Sequence, residues 1–209
     1  MSSAPAEQRR SQQREQARRT ILDATEAILV EDGFESLSIR RLASRCGYTA
    51  PSIYHHFGDK TGLVAALLDE RFQRLYEELR RVERGDDPAA DLRATALAFV
   101  DFATRHPNHY ALLASTELEE DAEPESARRA RALLEVPLMT LESSGRLAAP
   151  DVETAAQMIW AACHGVISLR IQRPHHDFAP DLAERVLDAL LASLVASGGG
   201  NEPDEGSDR

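Results

Sequence analysis

The feature that most restricts this chain is the spacing of capping and turn residues between positions 38 and 60. Ser38, Gly47, Thr49, Pro51 and Gly58 leave room for two short helices and little else. Ser38 is placed to cap a helix over residues 39–46, since a serine oxygen there accepts from an otherwise unpaired first-turn amide. Ile39, Leu42 and Ala43 then form its inward face, and Gly47 supplies the turn. Thr49 caps the next helix, with Pro51 in a first turn that needs no N–H from it. That helix runs through Ile53 to about His56, and Gly58 and Asp59 end it and begin another. Two short helices about a glycine turn are the helix-turn-helix layout.

Periodicity elsewhere is helical throughout. A first helix runs from Arg14 to a cap at Gly33, carrying Ile21, Leu22, Thr25, Ile28 and Leu29 on one face. A long fourth starts near Lys60 and continues to about Val82. Asp87 and Pro88 open a fifth with Leu92, Leu97, Phe99, Val100 and Phe102, and Pro107 opens a shorter sixth reaching about Leu118. An acidic loop over 117–125 precedes a seventh helix to Ser143, in which Pro137 predicts a kink. The eighth, Val152–Ile171, is apolar on almost every face and predicts burial between helices or subunits. The ninth, about 180–196, has a seam at Leu182, Val186, Leu187, Leu190, Leu191 and Leu194. With no strand-like alternation, the expected fold is all-α, about nine helices. Residues 1–13 read as a disordered arm, 14–60 as the helix-turn-helix domain, 61–196 as a second helical domain and the Gly-rich acidic 197–209 as a disordered tail.

A net charge of −11 looks unsuited to nucleic acid, but the charge is unevenly distributed. Residues 1–60 hold nine basic and eight acidic side chains, the remainder 15 and 27. A locally positive face on an acidic body is therefore possible, and whole-chain charge excludes nothing. Lys60 is the single lysine among 23 arginines. Cys46 and Cys163 belong to no ligand pattern and read as small buried apolar residues. No apolar run spans a bilayer, and the polar N-terminus lacks a signal-peptide core, so a cytoplasmic protein is expected. Signatures of nucleotide, metalloprotease and serine-hydrolase chemistry are missing from the sequence, which argues against an enzyme.

The residues of the second short helix suit a major groove. Small side chains at Thr49, Ala50, Pro51 and Ser52 let the backbone approach base edges, and Ala50 or Pro51 can touch a thymine methyl. Tyr54, His55 and His56 at its far end can donate to phosphates, which set register rather than sequence. Arg40 and Arg41 begin the preceding helix, where one can reach a base or phosphate. Arg9, Arg10, Arg14, Arg18 and Arg19 either reach phosphates or the minor groove or form a solvated basic tail.

Ser38, Ala43 through Gly47, Tyr54-His55-His56-Phe57 and Lys60 together resemble the N-terminal domain of the TetR family, over about residues 14–65 without gaps. The stretch from Trp160 to Leu169 is similar to the penultimate helix of many members. The resemblance implies phosphate contacts from Ser38, Ser52, Tyr54, His56 and Lys60, base reading by Arg40, Thr49, Ala50 and Pro51, a contact of either kind from His55, and packing by Phe57. It further implies a ligand-responsive repressor that binds a palindromic double-stranded operator as a homodimer, paired through helices eight and nine. The helical body would then hold a largely apolar small-molecule effector, with Phe72, Tyr76, Phe99, Phe102, Tyr110, Trp160 and His164 as candidate pocket residues. No cofactor is expected. His106 with His109, and His175-His176-Asp177, lack a third metal ligand. The competing readings are a TetR-like activator or global DNA-binding regulator, a helical interaction protein without DNA binding, and an enzyme.

Overall fold

The computed structural model describes residues 4–115 and 123–196 of the chain. Most of the expected acidic loop and all of the expected tail lie outside the described residues. Nine α-helices are present among the described residues: α1 (Ala4–Asp32), α2 (Ile39–Cys46), α3 (Ala50–Phe57), α4 (Lys60–Leu79), α5 (Pro88–Arg105), α6 (Pro107–Ser115), α7 (Glu125–Ser143), α8 (Val152–Gln172) and α9 (Leu182–Leu194). A 3₁₀ turn, Phe34–Ser36, joins α1 to α2. Two compact units result. One comprises residues up to Glu77 with Arg105–Ala130, the other Glu78–Thr104 with the chain from Arg131 onward.

The first unit closes around the inward faces of the short helices. Ile21, Leu22, Ile28 and Leu29 of α1 meet Leu42, Ile53 and Phe57 of α2 and α3, Leu63, Leu67 and Leu68 of α4, and Leu112 of α6. Each fully buried leucine or isoleucine contributes about 1.5–3 kcal/mol, so this cluster stabilises helices that are individually too short to persist in water. The unit also buries a charge. Arg71 of α4 is 0% exposed, and its Nε and Nη2 donate to Glu26 Oε2 at 3.0 and 2.8 Å. Its remaining donors reach Asp23 Oδ1 at 2.6 Å and Glu70 Oε1 at 2.9 Å. His109 Nε2 of α6 lies 3.5 Å from Glu26 Oε1. This is no ion pair at neutral pH: burial first, then the charge of Arg71, push the His109 imidazole down to about 4. Glu26 is itself raised, because burial outweighs the attraction of Arg71.

The second unit packs Leu92, Ala96, Val100 and Phe102 of α5 with Leu138 and Leu141 of α7 and the inner faces of α8 and α9. Pro137 sits inside α7 without ending it. A proline has no N–H for the carbonyl four residues back, and that orphan, Leu133 O, instead accepts from Arg84 Nη2 at 3.2 Å. An isolated bridge pairs Leu147 with Val195 and ties the end of α9 to the turn after α7. Cys163 is buried, and burial lifts its thiol to about 12, so it is inert; Cys46 is half-buried.

One expectation needs correction. The chain from Ala4 to residue 13, expected as a disordered arm, is helical and continuous with α1. Its Ala, Glu, Gln and Arg content favours helix, Pro5 falls in the first turn, and Glu7 complements the N-terminal dipole. The eighth helix is enclosed on one side within its unit, at Ala155, Ile159, Cys163, Val166 and Ile167, while Met158, Trp160 and Leu169 face outward. Uniform apolarity does not say how many faces one chain covers.

Candidate nucleic-acid interface

Local hydrogen bonds build the interface. The Ser38 hydroxyl oxygen accepts from Arg41 N at 3.3 Å, and that of Thr49 from Ser52 N at 3.4 Å. Each hydroxyl keeps its own proton to donate outward. Gly47 ends α2 at φ 75°, a left-handed conformation that glycine adopts without a Cβ penalty. Leu42, Ile53 and Phe57 anchor the two helices from beneath. Because Ile53 and Phe57 are one turn apart, the intervening Tyr54 and His55 point outward; Tyr54 is 49% exposed. His56 is half-buried, and its imidazole is lowered first by burial, then by His55, Arg18 and Arg14.

The expected residues are accessible. Ser38, Arg40, Thr49, Pro51, Tyr54, His55 and Lys60 are exposed, and Ala50, Ser52 and His56 are partly so. The arrangement separates the arginines of α2. Arg41 bonds Asp32, and Arg45 makes a two-pronged pair with Glu31 at 2.6 Å, so both are turned back onto α1. Arg40 has no hydrogen bond or ion pair among the described residues and keeps its five donors for an outside acceptor. Lys60 Nζ donates to Phe34 O at 3.4 Å, which holds the ammonium beside the start of α4. Asp59 Oδ1 caps that helix by accepting from Gly62 N at 2.7 Å.

Sequence reasoning missed the proximity of α1 to the end of α3. The Arg18 guanidinium lies 5.1 Å from the centroid of the Phe57 ring. Only the packing of α1 across α3 creates this neighbourhood, and no local pattern signals it.

The candidate body residues are divided between the two units. Phe72, Tyr76 and Tyr110 belong to the first unit, where Arg129 stacks on the Tyr76 ring at 4.0 Å and burial raises the Tyr110 phenol. Phe99, Phe102, Trp160 and His164 belong to the second. There His164, lowered by burial, lies between Phe99 and Trp160 with ring centroids 5.6 and 5.0 Å away. Phe102 is buried core. The His106 and His109 rings stack at 5.2 Å, and no cluster of three potential metal ligands occurs among the described residues.

Residues 21–67 match the family model for bacterial regulatory proteins of the tetR family, and residues 92–194 match that of the tetracyclin repressor-like C-terminal domain. The chain belongs to the TetR family of transcriptional regulators. A HTH-type transcriptional regulator of Mycobacterium tuberculosis is 27% identical over 166 residues, covering 79% of this chain and 75% of that protein. The structure of SmeT, repressor of the Stenotrophomonas maltophilia multidrug efflux pump SmeDEF, is 26% identical with a TM-score of 0.65, covering 87% of this chain and 91% of SmeT. A TetR family regulator of Marinobacter aquaeolei shares the fold at a TM-score of 0.78 and 16% identity, covering 90% of this chain and 100% of that one. In this TetR regulator, α2 and α3 are thus the helix-turn-helix, and no helix among the described residues is long and apolar enough to cross a membrane.

Proposed function

We propose that this TetR regulator is a repressor that binds a palindromic operator as a homodimer in the cytoplasm and is released by a largely apolar small molecule. The observation that carries this is the surface of α3: small residues at its start, Tyr54 and His55 exposed at its end, and Arg40 unengaged beside it. Thr49, Ala50 and Pro51 read bases, with Arg40; Ser38, Ser52, Tyr54, His56 and Lys60 hold phosphates. Residues 14–60 are the DNA-binding part, and 61–196 the effector and dimer part. Repression is supported by the likeness to SmeT, and effector binding by the structure of SmeT in complex with triclosan, 26% identical to this chain.

Dimerisation through α8 and α9 is supported by the exposed Met158 and Leu169, which share one face of α8, and by half-buried Leu182, Val186 and Leu190 on α9. An apolar surface of this kind marks an association site. A two-fold pair sets its recognition helices roughly 34–36 Å apart, or a multiple of that, on a palindrome. An effector that favours the non-operator state ~10⁴-fold moves the population from 1:99 to 99:1. Phe99, Trp160 and His164 offer such a ligand an apolar surface with one polar anchor.

The test is duplex binding as a function of salt for the full chain, with Tyr54→Ala and Lys60→Ala. Each variant is expected to bind more weakly; Lys60→Ala also has a slope of log K against log[salt] shallower by about 0.9 per lost cationic contact, whereas Tyr54→Ala, which loses a neutral donor, keeps the slope. Unchanged affinity and slope in both variants refute the assigned contacts. A stable monomer at micromolar concentration in analytical ultracentrifugation refutes the dimer.

A further inference from the structure

The N-terminal part of α1 is an overhang. Residues 7–16 are all exposed, and burial begins only at Ala17. A helical segment this short, without tertiary support, is marginal in water, so its side chains indicate what stabilises it. Arg10, Arg14 and Arg18 stand four residues apart, and neighbours at that spacing share a helix face. The same row continues inward as Leu22 and Glu26, both buried in the first unit. The overhang therefore extends the core-facing side of α1 beyond the edge of that core, and where packing stops, the side chains change from leucine to arginine. The row spans about 12 Å at 1.5 Å per residue.

Its position relative to α3 is fixed at the inner end. Arg18 lies over the ring of Phe57, the last residue of α3, next to His55 and His56. Arg10 and Arg14 have no hydrogen bond or ion pair among the described residues. Glu7 and Glu15 stand three residues ahead of Arg10 and Arg18, and three arginines against two carboxylates leave this side of the helix net positive.

We propose that the Arg10–Arg14–Arg18 row is a second phosphate-binding surface, which clamps the DNA backbone flanking the segment read by α3. Charge complementarity selects the occupant: a face of guanidinium groups, continuous with the phosphate-facing end of a recognition helix, meets a polyanion held at that end. The proposal rests on the reading of α3 as the recognition helix. It adds a flank to the operator that carries no base information, because guanidinium groups on phosphates report position and not sequence.

The experiment uses the full-length protein and a fluorescent duplex enriched from a random-sequence pool by the protein itself. Wild type, Arg10→Ala/Arg14→Ala, Arg10→Lys/Arg14→Lys and Tyr54→Ala are titrated across a salt series. The double alanine variant is expected to lose affinity and to show a slope shallower by about 3.6 for the dimer, two contacts at 0.9 each in each protomer. The double lysine variant keeps the slope, because charge and not side-chain shape sets it. Trimming the duplex outside the footprint of α3 weakens wild type but leaves the double alanine variant unaffected. If the double alanine variant matches wild type in affinity and slope while Tyr54→Ala binds weakly, the row is a solvated surface and the proposal falls, with the recognition helix intact. If the pool yields no bound duplex, or Tyr54→Ala matches wild type, the reading of α3 falls and the clamp falls with it. Because both arginines are exposed, equal melting temperatures of the variants identify any binding change as a lost contact.

Discussion

Replacing Arg71 with methionine tests the buried charge network most directly. The guanidinium is fully enclosed and spends its donors on three carboxylates, one of which, Glu26, has only 8% of its side chain exposed. Methionine fills a similar volume but leaves Glu26 buried without a counter-charge. Breaking a buried pair from one side in this way costs about 3–5 kcal/mol. For a chain of this size that is a drop in melting temperature of roughly 6–20 °C, at about 2–4 °C per kcal/mol. The double variant Arg71→Met/Glu26→Leu removes both charges, and an apolar pair of similar volume is close to neutral, so most of the loss is expected to return. The single variant carries a second signature. After burial, Arg71 is the strongest influence holding His109 neutral, so its removal lets the imidazole climb from about 4 and take a proton beside Glu26. The stability gap between wild type and Arg71→Met should therefore narrow as pH falls from 8 to 5. Thermal melts followed by circular dichroism across that range, with the His109 resonance followed by NMR, give both readings. A single variant within about 1 kcal/mol of wild type, or a double variant no more stable than the single, refutes the reasoning.

Three further outcomes are expected. Below about pH 6.5 the unfolded chain protonates His109 while the folded chain refuses the proton until about 4, so wild type should lose stability over that window. The loss is at most about 3 kcal/mol and is partly offset by Glu26, which takes a proton more readily folded than unfolded; His109→Gln should flatten the profile measured by urea titration. Gly62→Ala would ordinarily favour a helix, but the new Cβ overlaps the Phe57 carbonyl oxygen, so it should destabilise by about 1–3 kcal/mol and weaken duplex binding by shifting the end of α3. Thr49→Ala removes the cap on Ser52 N and should cost about 1 kcal/mol in a thermal melt, whereas Thr49→Ser should not.

The helix-turn-helix was legible because its boundaries are set by neighbours in sequence. Ser38 and Thr49 satisfy amides three residues ahead, Gly47 takes the one conformation that reverses the chain there, and the buried Leu42, Ile53 and Phe57 recur at helical spacing. The start of α1 was less legible, since a polar, arginine-rich stretch reads equally as coil and as helix. The candidate pocket was legible as a list of aromatic residues and not as a place, because helical periodicity names an inward face without naming what it faces. That Phe72 and Tyr76 belong to one compact unit and Phe99 and Trp160 to the other is visible only when the chain is folded.

Arg40 and Arg41 make the same point: adjacent and chemically identical in sequence, one has no ion pair among the described residues and the other is held by Asp32, because the α1–α2 crossing puts that carboxylate within reach of only one. Arg71 is the extreme case. It reads as an ordinary arginine on a solvated helix, yet it is enclosed by partners 45 and 48 residues away. By itself the sequence determined the helices, their caps and the family, through hydrogen bonds and periodicities spanning one or two turns. Which charges are spent inside and which remain exposed was decided by tertiary structure alone, because an ion pair depends on distance in space, and that distance is set by how helices far apart in the chain cross.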